Sequence, residues 1–314
     1  MKKILITLMI VVVLLGAALF LLVHFGEQKI MEMANELPGV AVSSVAIDLF
    51  SQDITMTDTA YTDGDTFFTA TSVKVHLLAQ ELFDLLFLPS RELYEIDLEA
   101  ENLNYGTVGN RLQIQYSALI LNGIFPLEDI ESSVIQKADA DLTDFRILQD
   151  DNIIASFSSE KVTIRVTGHF DRDTKFDKFD ELIMRADSLS LECETPHLIL
   201  SEDSNEIPQW IPIQDDLKGT ILSFSTYRED EIVHAPSFEL DLPILSISGK
   251  FDVSLFSPLW YEASVDVNAL DETIRRQLSL PLMFLGYYIP EGPFTVDAQQ
   301  IIGEGPPEFI ITEK

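Results

Sequence analysis

Five histidines, one cysteine and 52 acidic residues are the side chains of this 314-residue sequence best suited to bond chemistry. His24, His76, His169, His197 and His234 stand far apart, and no two fall at the local spacing of a metal-ligand pair. Cys193 shares its alternating phase with Leu189 and Leu191, which predicts a buried, inert small side chain rather than a nucleophile. Asp171, Asp173, Asp177, Asp180 and Glu181 form the densest acidic group and offer the loop oxygens that a calcium ion requires. Arg172, Lys175 and Lys178 sit among them, however, and the glycine of an EF-hand loop is missing, so a solvated turn is the competing reading. With 52 carboxylates, any pair chosen for glycoside hydrolysis is arbitrary. Nucleophile elbow, P-loop, zinc-protease helix and dinucleotide fingerprint are all absent from the sequence. The expectation is a chain with no catalytic residues, no cofactor and no metal. Its chemistry is apolar contact, centred on Val162, Ile164, Val166, Leu245 and Ile247 as lipid-facing residues.

Those residues need strands to position them. Val162, Ile164 and Val166 alternate with Thr163, Arg165 and Thr167, the period of a half-buried strand. Ile96, Leu98 and Ala100 repeat the pattern against Glu95, Asp97 and Glu99, as do Val73, Val75 and Leu77 against Ser72, Lys74 and His76. The alternation slips near Pro243, where Leu242 and Ile244 give way to Leu245 and Ile247, and this predicts a bulge. Helices are few. One is expected from Gly26 to Leu37, and another near 268–280, capped by Asn268 with Asp271 at the capping-box spacing and stopped by Pro281. Short helices are expected at Gln80–Leu88 and Pro126–Val134. The predicted fold is mainly β: an N-terminal transmembrane helix, then a long, twisted, mostly antiparallel sheet, either groove-like or two packed β modules. The tetrapeptides Gly168-His169-Phe170-Asp171 and Gly249-Lys250-Phe251-Asp252 suggest such modules. This divides the chain into 1–26 (cytoplasmic start and anchor), 27–200 and 217–314, with Ser201–Asp216 as the junction.

Ile4 to Val23 is an apolar run whose one polar member is Thr7, long enough to cross a hydrocarbon core as a helix. It exceeds the apolar region of an ordinary secretory signal, and no cleavage site follows it, which predicts a retained anchor. Lys2 and Lys3 precede it, whereas residues 27–314 hold 18 of the 20 Lys and Arg and all 52 Asp and Glu. The positive-inside rule then puts the N-terminus in the cytoplasm and the body outside. A net charge of −32 argues against nucleic acid as a partner. A single cysteine suits an exported domain without disulfides, which fits the periplasm of a bacterial envelope.

The strand pair VAVSSVAIDLFSQDITMTDTAYTD, followed by TATSVKVHLLAQELFDLLFLPSRELYEIDLEAENLNYG, resembles the N-terminal part of AsmA-like envelope proteins. The likeness covers about 38–105 and rests on pattern. It implies an inner-membrane anchor and a taco-shaped β-sheet with an apolar groove. It also implies a role in handling phospholipid or in outer-membrane assembly, and it carries over no catalytic residue. The expected partners are the bilayer, through residues 4–23, and phospholipid acyl chains. Two other readings stay open: an acidic module that recruits a basic envelope protein, and an enzyme with a dispersed acid pair.

Overall fold

The computed structural model describes residues 23–32, 34–36, 38–48, 50–77, 81, 92–107, 110–126, 132–149, 154–171, 185–200, 216–254, 258–284, 286–302 and 308–314. The run Ile4–Val23 lies outside these apart from Val23, as do all of the expected Gln80–Leu88 helix but Glu81, Asp173–Glu181 and 201–215. Among the described residues, no helix is long and apolar enough to cross a membrane.

Residues 23–32 and 34–36 are helical (α1) and lead into the strands. β1 (Val40–Ala41) and β2 (Ser44–Asp48) both pair with β3 (Asp53–Asp63). β4 (Thr66–His76), β5 (Glu92–Thr107), β6 (Asn110–Pro126), β7 (Val134–Gln149) and β8 (Ile154–Phe170) then add one after another, each antiparallel to the last. β9 (Ala186–Glu194) and β10 (His197–Leu200) lie end to end along β8. β11 (Asp216–Lys218) pairs with β10, and β12 (Ile221–Glu229) pairs with β9. The meander continues through β13 (Ile232–Leu242), β14 (Leu245–Ser254), β15 (Trp260–Leu270), β16 (Phe294–Ile301) and β17 (Glu308–Glu313). All 17 strands among the described residues belong to one sheet, and the β9–β12 ladder carries it past residues 201–215. The fold is therefore mainly β and antiparallel, with few helices.

A line of left-handed residues crosses this sheet. Asp58 in β3, Asn102 in β5, Asp144 in β7 and Thr195 between β9 and β10 have φ of 49°, 50°, 49° and 50°. Asp and Asn tolerate this conformation better than other side chains, and one such residue interrupts the pleat of its strand. The breaks stand level with one another, since the Asn102 amide donates to Thr71 Oγ1, a residue of β4 beside Asp58 (3.0 Å), and the ladders keep one register across them, so they are not β-bulges. Each break also shifts the side-chain phase. Ala138, Ala140 and Leu142 point to one face before Asp144, and Phe145 and Ile147 point to that same face after it. Ile114, Leu142, Phe145, Val162 and Cys193, from both sides of the line, pack into one buried cluster. On the other face Glu101, Gln115 and Glu160 are exposed. The sheet thus bends with its apolar face inside.

Three local expectations are corrected. Pro243 and Ile244 form the two-residue turn between β13 and β14, with Leu242 paired to Leu245, so the phase slip is a hairpin turn and not a bulge. Proline's fixed φ suits that turn position. Asn268 is not a helix cap. It sits inside β15, its amide donating to Ser248 Oγ (3.2 Å), and the cap is Asp271, whose Oδ1 accepts from the N–H of Thr273 (2.8 Å) and Ile274 (3.3 Å). The helix Glu272–Phe284 (α2) also runs through Pro281. It stops at Gly286, whose φ of 87° turns the Tyr287 N–H back to the Leu282 carbonyl (2.9 Å), beside the Gly286 N–H bond to the Met283 carbonyl (3.0 Å). Pro126 and Val134 belong to β6 and β7, and 127–131 between them lie outside the described residues.

Candidate functional site: an apolar row across the bent sheet

Registered pairs carry one row of side chains from the first edge of the sheet to the last. It runs Ile47, Ile54, Val75, Leu98, Leu119, Ala140 and Ile164 over β2 to β8. It continues through Leu191, Phe224, Phe238, Gly249, Val265, Val296 and Ile311 over β9 to β17. Every rung is apolar or glycine. At strand spacings of about 4.8 Å the row is roughly 60 Å long. Past the bend a second row follows the same face: Val40, Tyr61, Phe68, Tyr105, Leu112, Ile147, Phe157, Leu198 and Leu217.

The long row is covered at its ends and less so between them. Val23 and Ile30 of α1 pack on the cluster of Ile47, Ile54, Leu77, Leu93 and Phe125. At the far end Leu278 and Leu282 of α2, with Ile289 after it, pack on Val267 and Phe294. In the middle, Leu119, Ala140, Ile164, Leu191, Phe224 and Phe238 are half-buried, and among the described residues the clusters that include Ile164 contain strand residues only. Such a surface excludes water poorly and offers aliphatic contact without polar recognition. Gly249 fits this lining: a Cβ there would stand 2.8 Å from the Phe238 ring, so only glycine lets that ring lie across the row.

All five residues expected to face lipid lie on this face. Val162, Ile164 and Val166 follow one another down β8, and Leu245 and Ile247 sit on β14 under α2. Their exposures differ. Val162 is 1% exposed and Val166 8%, so both are core, whereas Ile164 is half-buried against the clusters on either side of it. Leu191, Phe224 and Phe238 have the same setting as Ile164 but are not among the residues expected to face lipid, although the alternation in 189–193 already gives Leu191 the inward phase. Cys193 is buried beside Val162 and Leu222, and burial pushes its thiol up to about 11. A bulky maleimide is expected to label it in the native protein at least ~100 times more slowly than in denaturant. Native and denatured rates that match would show that β9 is wrongly placed.

The opposite face is polar, and its charges are ordered. From β7 to β16 one row reads Asp141, Thr163, Glu192, Ser223, Glu239, Ser248, Asp266 and Thr295, acid alternating with hydroxyl. Thr163 donates to Asp141 and Thr295 to Asp266, each at 2.7 Å. Placing a hydroxyl between acids keeps like charges from standing directly opposite one another. Near the first edge, Asp53 accepts from Lys74 and His76, both at 2.9 Å. Burial pushes the Asp53 carboxyl up, but hydrogen bonds from His76, Ser51 and Lys74 and the Lys74 charge outweigh this and hold it at about 2. A depressed carboxyl stabilises the fold above its unfolded value, and that stabilisation is lost as pH falls through the folded value. Asp53→Asn should therefore lower stability at pH 7 by about 1–3 kcal/mol and converge with wild type near pH 2 in urea titrations. A deficit that stays constant down to pH 2 would refute this assignment.

Among the described residues, no three His, Cys, Asp or Glu side chains converge as a metal ion requires. His76 and His234 each hold an Asp on the neighbouring strand, Asp53 and Asp252, at 2.9 Å. Asp171, the one described member of the Asp171–Glu181 group, pairs with Arg185 at 2.8 Å. The fold and this face define a class: a single bent antiparallel meander, acidic outside and apolar within. Comparison of the chain with family models, with curated proteins and with solved structures finds no match in any of the three.

Proposed function

We propose that the chain is a non-enzymatic, single-pass inner-membrane envelope protein, resembling the AsmA-like group, that shields phospholipid acyl chains on the inside of its bent sheet. The observation that carries this reading is the unbroken apolar row from Ile47 to Ile311, half-buried through its middle. Acyl chains lie along the row, and head groups stay at the open side near water. No bond is made or broken. Residues 4–23 tether the sheet to the bilayer, and α1, which continues from them, rests on the first strands of the row. The row would then start beside the membrane, where a lipid leaves its leaflet. A C-terminal alkaline-phosphatase fusion is expected to be active in cells, and an inactive fusion contradicts the orientation.

The test of lipid handling is native mass spectrometry of the full chain extracted in detergent. Adducts with the masses of phospholipids, released by organic solvent, are the expected result. A protein that stays free of lipid when incubated with phospholipid vesicles overturns the reading.

A further inference from the structure

We infer that the last turn of α2 and the turn after it dip into the surface of a phospholipid bilayer. The helix changes character along its length. One face is packed throughout: Ile274 is buried, and Leu278 and Leu282 lie on the cluster of Val267, Ile289 and Phe294. The opposite face begins polar, with Glu272, Thr273 and Arg276 exposed. It ends apolar, with Leu280 59%, Met283 60% and Phe284 80% exposed, and Tyr288 follows at 71%. An amphipathic helix in water keeps its outer face polar to the end, whereas a helix apolar all round belongs in a core or in lipid. These side chains are held in place from behind. Past Gly286, Tyr287 meets Phe309 of β17 edge to face, with ring centroids 5.8 Å apart, and Ile289 is buried.

The charge of the segment selects lipid as the occupant. Residues 273–290 contain Arg275 and Arg276 and no Asp or Glu, in a chain with 52 acids. Anionic head groups therefore meet cations beside the patch and no carboxylate within it. Arg275 is tied to the Glu291 carbonyl. Arg276 is 78% exposed and pairs with Glu272 one turn back, an exposed bond weak enough to yield to a phosphate. Leu280, Met283 and Phe284 suit the acyl layer, and Tyr288 suits the level of the head groups. Arginine above and bulky apolar side chains below is the composition of helices that lie in a membrane interface. A second copy of this chain fits less well, because each copy carries a net charge of −32. Since α2 covers the end of the long row away from α1, a lipid surface here would meet the row at its far end. Docking through α2 does not require acyl binding along the row, and either can fail alone.

The experiment uses the full chain in nanodiscs of phosphatidylethanolamine and phosphatidylglycerol, with protein-free vesicles of the same lipids added. A dansyl-bearing amino acid is placed at Leu280, Met283, Phe284 or Tyr288, one site at a time, and at Thr273 as the polar control. All five sites are exposed, so the probe displaces no packed side chain. A doxyl phospholipid, placed in the discs or in the vesicles, is expected to quench the four apolar sites at least ~3-fold more than the control. Quenching from the discs identifies the bilayer that already holds the chain, and quenching from the vesicles identifies a second one. Phe284→Asp should leave the urea midpoint near wild type and cut the quenching of a probe at Tyr288 at least ~5-fold. Equal quenching at Thr273 and the four sites, or none from either bilayer, overturns the proposal. Probes shielded from iodide yet untouched by doxyl lipid also overturn it, and make protein the occupant.

Discussion

Ile164→Glu is expected to give a cooperatively folded protein that has lost its phospholipid. Ile164 sits at the middle of the long row, between Ala140 and Leu191, and is half-buried. A glutamate there can turn its carboxylate to water, so the cost to stability should stay near 1–2 kcal/mol. Its cost to an acyl chain is far larger. Half of a fatty chain, about eight methylenes at ~0.8 kcal/mol each, yields ~6 kcal/mol, an affinity in the tens of micromolar. A carboxylate in the path of the chain must be dehydrated for the chain to pass, which cancels most of that gain. Urea unfolding should show one transition near the wild-type midpoint, and native mass spectra should lack lipid adducts. An unfolded variant would mean that Ile164 belongs to a closed core, and a folded variant that keeps its lipid would remove Ile164 from the site.

Val162→Glu, two residues away on the same face, should unfold the protein instead. Val162 is 1% exposed and lies under Ile114, Leu142, Phe145 and Cys193 at the bend. A carboxylate there lies among apolar side chains and must be protonated to stay inside. Raising a glutamate from about 4.3 to above 8 costs ~4 kcal/mol at pH 7, about 2.7 units at ~1.4 kcal/mol each, a large share of a domain's stability. The sign follows from linkage. The folded-state value is raised, so the penalty is present at neutral pH and shrinks as pH falls towards the unfolded value near ~4.3. Circular dichroism melts should show the variant unfolded or nearly so at pH 7 and partly rescued near pH 5. Wild-type stability at pH 7 would show that the bend is open where it is described as packed.

The contrast between these two neighbours marks how far the sequence can be read. Alternation in 162–167, 96–100 and 73–77 carries the strands and their apolar phase, and the ladder puts those phases together on one face. Alternation cannot separate Val162 from Ile164, because burial at the bend comes from residues such as Ile114 and Phe145 on other strands. Those two residues reach the inside because a left-handed residue lies beside them in the sheet, and an aspartate such as Asp144 looks like any solvated acid until its φ is known. Pro243 was legible as a disturbance. Whether a two-residue turn or a bulge follows depends on the Leu242–Leu245 pairing, which is set by the ladder and not by the proline. Asn268 and Asp271 are both able caps. The ladder decides between them, because pairing with β14 holds β15 extended through Leu270.

The most direct test of an acyl-binding inner face uses the alternation itself. A benzophenone amino acid is placed in the full chain at Leu119, Leu191 or Phe224, on the apolar row, and at Ala118, Glu192 or Ser223, their neighbours on the polar face. After irradiation in cells, phospholipid adducts are predicted at 119, 191 and 224 and not at 118, 192 and 223. Adducts on both faces alike, or on neither, would contradict the account.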